Sequence, residues 1–357
     1  MSLLPDAATF RRLVDGSSRG PTATAARACL AALAAPYAAA VAARNAAYEA
    51  GLLPARRAPV PVVSIGNLTL GGTGKTPLVA WAARQLMEAG RRPAIVSRGY
   101  GAAAGRVSDE AAELALVVPG VPHVADRDRV AGALSAAAAG ADCVVLDDGF
   151  QHRRLARDLD VVAVDATDPF GCGRLFPRGL LREPLGGLAR AHAVVLTRVD
   201  AVDAATRRDI HAALRAACRR RQPGVWAEAE HRPVMLRRWT ADALHLDALR
   251  GRRVAAFAGI GNPAAFRATL ATLGADLVDF HALADHHDYA ATELATLAAR
   301  ARAARADLLV TTLKDLVKIR RDDLDAVPLA ALEISIRMTS GADDLAALIR
   351  GTAAGGG

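Results

Sequence analysis

From Pro59 onward the chain alternates short apolar runs with longer stretches of helical spacing. "PVPVVSIG" is dominated by β-branched residues and closed by a glycine, the pattern of a buried strand. Residues near Lys75 to Ala89 read as a helix, and "RPAIVSRG" as the next strand. "ALVVPG" (Ala115 to Gly120), "ADCVVLDDG", "LDVVAVDA" and "AHAVVLTRVD" are predicted as further strands, with a helix from about Ala204 to Arg221 closing the block. Continuous apolar strands alternating with helices imply an α/β fold, a parallel sheet covered on both faces. The pattern lapses over residues 223–250, which read as a linker. A second α/β block starts at "RRVAAFAGIG", continues through "GADLVDF" and "ADLLVTT", and ends near "LAALEISIR". The expected organisation is an N-terminal helical segment (1–57), a core domain (58–222), the linker (223–250), a second, smaller α/β domain (251–338), and a C-terminal helix with a disordered tail (339–357).

Ahead of the alternation lies "ACLAALAAPYAAAVAA", Ala28 to Ala43, 16 residues without a charge between Arg27 and Arg44. A spanning helix needs roughly 20 apolar residues. Alanine is a poor anchor, and Pro36 interrupts the run. Two expectations stay open. The helix rests on an anionic bilayer surface among Arg11, Arg12, Arg19, Arg56 and Arg57, or it packs against the following domain.

Composition narrows the partners. A length of 357 residues suits two α/β domains, and 52% hydrophobic content supplies their cores. A net charge of +8 favours an anionic partner. With 4% aromatic residues and no basic-aromatic interleaving, nucleic acid is not the expected one. The four cysteines include no C-x-x-C pair, which fits a reducing compartment. The N-terminus lacks the basic-then-apolar order of a secretory signal.

The chemistry starts at "GNLTLGGTGKTP". The common phosphate loop, G-x-x-x-x-G-K-[ST], would place its first glycine at position 69, which is a threonine here. The other requirements are met: a strand delivers the chain, Gly71, Gly72 and Gly74 allow inward amides around Thr73, Lys75 can reach phosphates, Thr76 can ligate Mg²⁺, and a helix follows at once. Downstream, "CVVLDD" places Asp147 and Asp148 at a strand end, the Walker-B arrangement for holding Mg²⁺. The sequence does not rank the two acids. A nucleotide site on a P-loop NTPase-like sheet is therefore expected.

Taken together, these segments resemble the tetraacyldisaccharide 4'-kinase family of lipid A biosynthesis. The resemblance is carried by "GNLTLGGTGKTP", "SRGYG", "SDE" (Ser108 to Glu110), "LDDGFQHRRLARDLDVVAVDA", "GRLFPRGLLREP", "VVLTRVD", "AFAGIGNPAAF", "ADHHDY" and "VTTLKD", in the family's order from about residue 55 to 320. It implies transfer of the ATP γ-phosphate, with Mg²⁺, to the 4'-hydroxyl of an acylated disaccharide 1-phosphate. It also implies a peripheral enzyme at the cytoplasmic face of the inner membrane, with two P-loop-like α/β domains joined by a β-ribbon. By family position, Asp109 is the catalytic aspartate and His286 its partner, while Lys75 and Thr76 serve the phosphates and Mg²⁺. Arg98, Arg174 and Arg182 are candidates for gripping substrate or nucleotide phosphates. Gln151 and His152 are expected to order the loop after the acids. The chain departs from the family at Leu313, Cys172, Arg178 and Leu180. The sequence leaves the oligomeric state open.

Three other readings compete. "TRVD" (Thr197 to Asp200) resembles a guanine-reading N-K-x-D without its asparagine and lysine. "GIGNPA" fits G-x-G-x-x-[GA], with Asp279 at the distance of a ribose-binding acid, but Pro263 removes an amide where pyrophosphate would sit. A nucleotide-binding membrane scaffold without turnover is the third.

Overall fold

The computed structural model describes residues 7–99, 108–219, 221–285 and 287–354. The chain divides into two compact units, Met1–His231 with Ile336–Gly357, and Arg232–Ser335.

The first unit opens with α1 (Ala7–Val14) and α2 (Pro21–Glu49). Then come β1 (Val62–Asn67), α3 (Lys75–Glu88), β2 (Pro93–Ser97), α4 (Asp109–Val117), β3 (His123–Ala125), α5 (Arg129–Ala138) and β4 (Cys143–Asp147). β5 (Leu159–Asp165), β6 (Ala193–Thr197), α6 (Ala204–Ala217) and β7 (Val225–Arg237) follow. The strands pair in the order β3-β2-β4-β1-β5-β6-β7, each pair parallel. Successive side chains of a strand face opposite ways, so the sheet builds two cores. Val63 and Ile65 of β1 join Leu78, Val79 and Leu86 of α3 on one face. Val62 packs on the other with Val130 and Ala133 of α5, while Val162 and Leu196 meet Ile210 and Leu214 of α6. The chain reverses its winding at β1, between β4 and β5. Ligands of open parallel sheets bind beyond the strand C-termini at such a point.

The second unit contains β8 (Arg253–Ala258), α7 (Pro263–Thr272), β9 (Asp276–Ala282), α8 (Ala291–Ala303), β10 (Leu308–Thr312), α9 (Leu313–Ile319) and β11 (Asp323–Leu324). β12 (Val327–Ser340) begins there and ends in the first unit, as β7 makes the opposite passage. Here the order is β12-β10-β8-β9, again parallel, with β11 antiparallel to β12. Val254 and Ala256 pack with Phe266 and Leu270 of α7 and with Val310 and Leu332. A last helix, α10 (Ala342–Ala354), returns to the first unit, where Leu345 and Ile349 join the α3 face.

Three expectations need correcting. "ALVVPG" is not a strand: Ala115 to Val117 are the last turn of α4, and the strand is β3 instead. Ser108 caps α4 by accepting from the Ala111 amide at 3.3 Å, and two acids occupy its first turn, which commits the segment to helix. Residues 225–237, which read as irregular, form a 13-residue strand; its mixed burial explains why no alternation was visible. Finally, α2 is one continuous helix of 29 residues, about 43 Å long, that runs through Pro36. An interior proline removes one backbone hydrogen bond, and the alanine-rich flanks supply the rest. By length and composition α2 could cross a membrane.

Candidate active site

Close backbone approach shapes the loop between β1 and α3. A Cβ on Gly66 would lie 2.5 Å from Phe150 Cβ and 2.7 Å from the Phe150 amide nitrogen, so only glycine lets β1 press on the turn after β4. Asn67 is fully buried and ties the loop from inside, donating to the Thr69 carbonyl at 2.8 Å and to Thr73 Oγ1 at 3.0 Å. Thr197 Oγ1, at the end of β6, donates to the Thr73 carbonyl at 2.9 Å. Gly71 and Gly74 take φ of 108° and 76°, and Gly71 and Gly72 are exposed. Gly74 opens α3 without a capping side chain, whereas α4, α5 and α6 are capped by Ser108, Asp128 and Asp203. The amides of Lys75 and Thr76 in the first turn of α3 therefore have no capping side chain, and they carry the positive end of the helix dipole.

The carboxylates stand beside this loop because β4 pairs with β1 through Ile65 and Asp147. Asp147 ends β4 and is buried. Burial pushes its carboxyl up to about 6; Lys75 opposes the rise, and Asp148 and Glu110 add to it. Asp148 turns through a left-handed conformation, φ 53°. Burial works against its ionisation too, but Lys75 Nζ at 3.3 Å and Arg182 Nη1 at 2.7 Å outweigh it and hold its carboxyl below the ordinary range. Two adjacent acids thus differ: Asp148 is charged and cation-paired, and Asp147 is short of positive charge. Among the described residues no three His, Cys, Asp or Glu side chains cluster as a metal cage.

The site residues expected from sequence meet different fates. Lys75, Asp147, Asp148 and Arg182 converge, and Thr76 follows on the first turn of α3. Asp109 is the first residue of α4, next to the Glu110 whose charge reaches Asp147. Arg98, just past β2, acts electrostatically on Arg129. Arg174 is solvent-exposed and forms no ion pair among the described residues. His286 lies outside the described residues, as do Tyr100 and Gly101 of "SRGYG". Gln151 bridges the Asn67 carbonyl at 2.8 Å and Glu183 Oε1 at 3.0 Å, which joins the phosphate loop to the turn after the acids. His152 is held to about 4 by burial and by Arg129.

Two residues carry weight that the sequence did not signal. Arg129, buried at the start of α5, has its guanidinium held below its ordinary range by burial and Arg98, against the pull of Asp148 and Asp147. Glu183 is fully buried, accepting from Arg190 at 2.7 Å and from Asn45 of α2 at 3.3 Å besides Gln151. Tyr37 of α2 donates to the Arg182 carbonyl at 2.8 Å. One side of α2 is thus built into the segment that carries Arg182. Cys172 adopts φ 59°, a left-handed conformation uncommon for a residue other than glycine.

The sequence profile of the Tetraacyldisaccharide-1-P 4'-kinase family, LpxK, matches residues 26–353. The chain belongs to this family. It is 44% identical over 330 residues to the tetraacyldisaccharide 4'-kinase of Anaeromyxobacter sp. (strain Fw109-5), covering 87% of each chain. It is 42% identical over 329 residues to that of Geobacter metallireducens, covering 87% of this chain and 94% of the relative. Its fold is similar to the crystal structure of "apo" form LpxK from Aquifex aeolicus in complex with ATP: TM-score 0.73, 29% identity, 91% of this chain and 99% of that one. The activity is accordingly that of a tetraacyldisaccharide 4'-kinase, a phosphotransferase of lipid A biosynthesis.

Proposed function

We propose that the first unit performs the transfer through the loop at residues 66–76, the two acids ending β4, and Asp109. The observation that carries this is the convergence of Lys75, Asp148 and Arg182 beside the uncapped start of α3. The α3 amides and Lys75 hold the β- and γ-phosphates of ATP. Phosphoryl transfer needs positioning and charge neutralisation more than covalent help. Lys75 and Arg182 are ion-paired with Asp148; when nucleotide binds, Lys75 exchanges this carboxylate for phosphate oxygens. Asp147, Asp148 and the Thr76 hydroxyl are the residues that would hold Mg²⁺, which would supply charge neutralisation when bound. The high carboxyl of Asp147 fits this role, because a buried acid short of positive charge gains most from a cation. Asp109 accepts the proton of the attacking 4'-hydroxyl, or orients that hydroxyl, with His286 as the family's partner. Arg182 and Arg98 are the phosphate-gripping arginines; the exposure of Arg174 gives it a weaker claim.

The substrate is an acylated disaccharide phosphate, and α2 delivers the enzyme to it at the cytoplasmic face of the inner membrane. One side of α2 packs on residues 176–183, while Leu33 on another side is 60% exposed. Replacing Leu33 with Asp is expected to reduce co-sedimentation with anionic vesicles; unchanged co-sedimentation would remove α2 from the membrane reading.

The kinase roles are tested by transfer from γ-labelled ATP with Mg²⁺ to tetraacyldisaccharide 1-phosphate in detergent. Wild type should yield labelled lipid, and Asp109→Ala should lose roughly 100-fold or more in rate while retaining ATP binding. Full transfer by the variant would discard Asp109.

A further inference from the structure

The "TRVD" segment at the end of β6 has no place in the transfer scheme above, yet it touches the phosphate loop twice. Thr197 does so directly, through the Thr73 carbonyl. Arg198 does so through His231, on β7 and within the first unit. Arg198 sits in a left-handed conformation, φ 55°, and its Nη1 is ion-paired with the buried Asp165. Asp165 Oδ1 accepts from the Thr167 amide at 2.9 Å and the Thr167 hydroxyl at 2.7 Å. This anchored guanidinium reaches His231 Nδ1 with its Nε at 3.5 Å.

That contact fixes the tautomer. Arginine can only donate, so Nδ1 accepts and the proton sits on Nε2. The imidazole is neutral at physiological pH, held to about 4 by burial and by Arg198 against Asp165 and Asp200. Nε2 faces the loop: a Cβ added to Gly74 would overlap both Nε2 and Cε1. The glycine is needed for its φ of 76° and also to make room for the ring. Nε2 is sealed from solvent and has no hydrogen-bond partner among the described residues. A buried donor without an acceptor is costly. Here it is held by two oriented side chains against the loop where phosphate oxygens gather.

We propose that His231 is a further positioning residue of the nucleotide site, its Nε2–H bonding the phosphate loop at Gly74 to an oxygen that becomes available when a nucleoside triphosphate fills it. This rests on the reading of the first unit as the nucleotide site. The donor is idle in the ligand-free protein and used in the bound one, so its removal affects binding and not folding.

The test is calorimetric titration of the full chain with Mg-ATP, together with the melting temperature of the ligand-free protein, for wild type, His231→Gln, His231→Asn and His231→Phe. Glutamine places an amide N–H near Nε2; the shorter asparagine and the phenyl ring do not. Gln is expected to bind within about threefold of wild type, and Asn and Phe roughly 5- to 100-fold more weakly. Ligand-free Phe should melt close to wild type, because it removes an unpaired buried donor, and the Arg198 Nε that loses its acceptor belongs to a partly exposed side chain. Asn and Phe binding like wild type would overturn the assignment. So would an equal loss in all three variants with falling melting temperatures, the signature of a space-filler. Absence of Mg-ATP binding by wild type would overturn the nucleotide reading itself.

Discussion

In each unit a buried parallel strand runs into a glycine-bearing turn and then a helix, and the two turns have been put to opposite uses. Between β1 and α3 the first helical turn has no side-chain cap, and Lys75 is ion-paired with Asp148 at 3.3 Å. Between β8 and α7 the amides at both ends of the turn have acceptors, and one position has no amide hydrogen. The Gly259 amide donates to Asp315 at 3.1 Å, the Ala265 amide to Asn262 at 3.1 Å, and Pro263 has no amide hydrogen. Asp279, placed where a dinucleotide fold would hold ribose, has both oxygens taken by Arg300 at 2.6 and 2.9 Å. Glycine spacing makes a turn possible; a phosphate site also needs donors whose partners the protein has withheld.

The contrast can be broken by variants on either side of it. The largest expected effect is Lys75→Ala, which should lower phosphate transfer by roughly 1,000-fold or more with little change in melting temperature. A variant that kept its rate would show that the first loop is not where charge is neutralised. In the second unit Asp315→Ala should act on stability instead. Asp315 is fully buried and also accepts from Thr312 at 2.6 Å, so truncation strands several donors at a cost of about 2–4 kcal/mol. Its affinity for Mg-ATP should stay within about threefold, as titration of the folded variant would establish; a large loss would place Asp315 in the nucleotide site.

The third variant, Asp147→Asn, has a smaller expected effect on stability than Asp315→Ala and opposes stability to function. Burial pushes the carboxyl of Asp147 up to about 6 in the folded protein, above the ordinary aspartate value near 4. Its contribution to stability is therefore fullest below pH 4 and is lost as pH rises through 6. Asparagine should stabilise the ligand-free protein at pH 7 by about 1–2 kcal/mol and progressively less towards pH 4, while Mg-dependent transfer collapses. Melting curves from pH 4 to 8 that show no such trend would remove the charge argument for Asp147.

Much of this was readable in advance, for identifiable reasons. Strands buried on both faces announce themselves, and so do Lys75 and the aspartates ending β4, because local sequence carries the geometry. The loop's departure from common spacing also has a local reason. Gly66 stands early because β1 must clear Phe150, and Asn67 takes over the inner ties of the loop. What stayed hidden depends on contacts distant in sequence. Arg129 looks like any solvated arginine until α5 buries it near Asp147 and Asp148. Glu183 gains its weight from Asn45, Gln151 and Arg190 on separate segments. β7 escaped notice because its burial is uneven, and the last turn of α4 reads as a strand because its residues form an apolar run.

The most direct measurement is a crystal structure with Mg²⁺ and a non-hydrolysable ATP analogue. The account predicts the triphosphate against the amides of residues 71–76, Lys75 moved from Asp148 to phosphate oxygens, and the metal next to Asp147 and Asp148. A triphosphate at residues 259–265, or one bound with Lys75 still on Asp148, would contradict it.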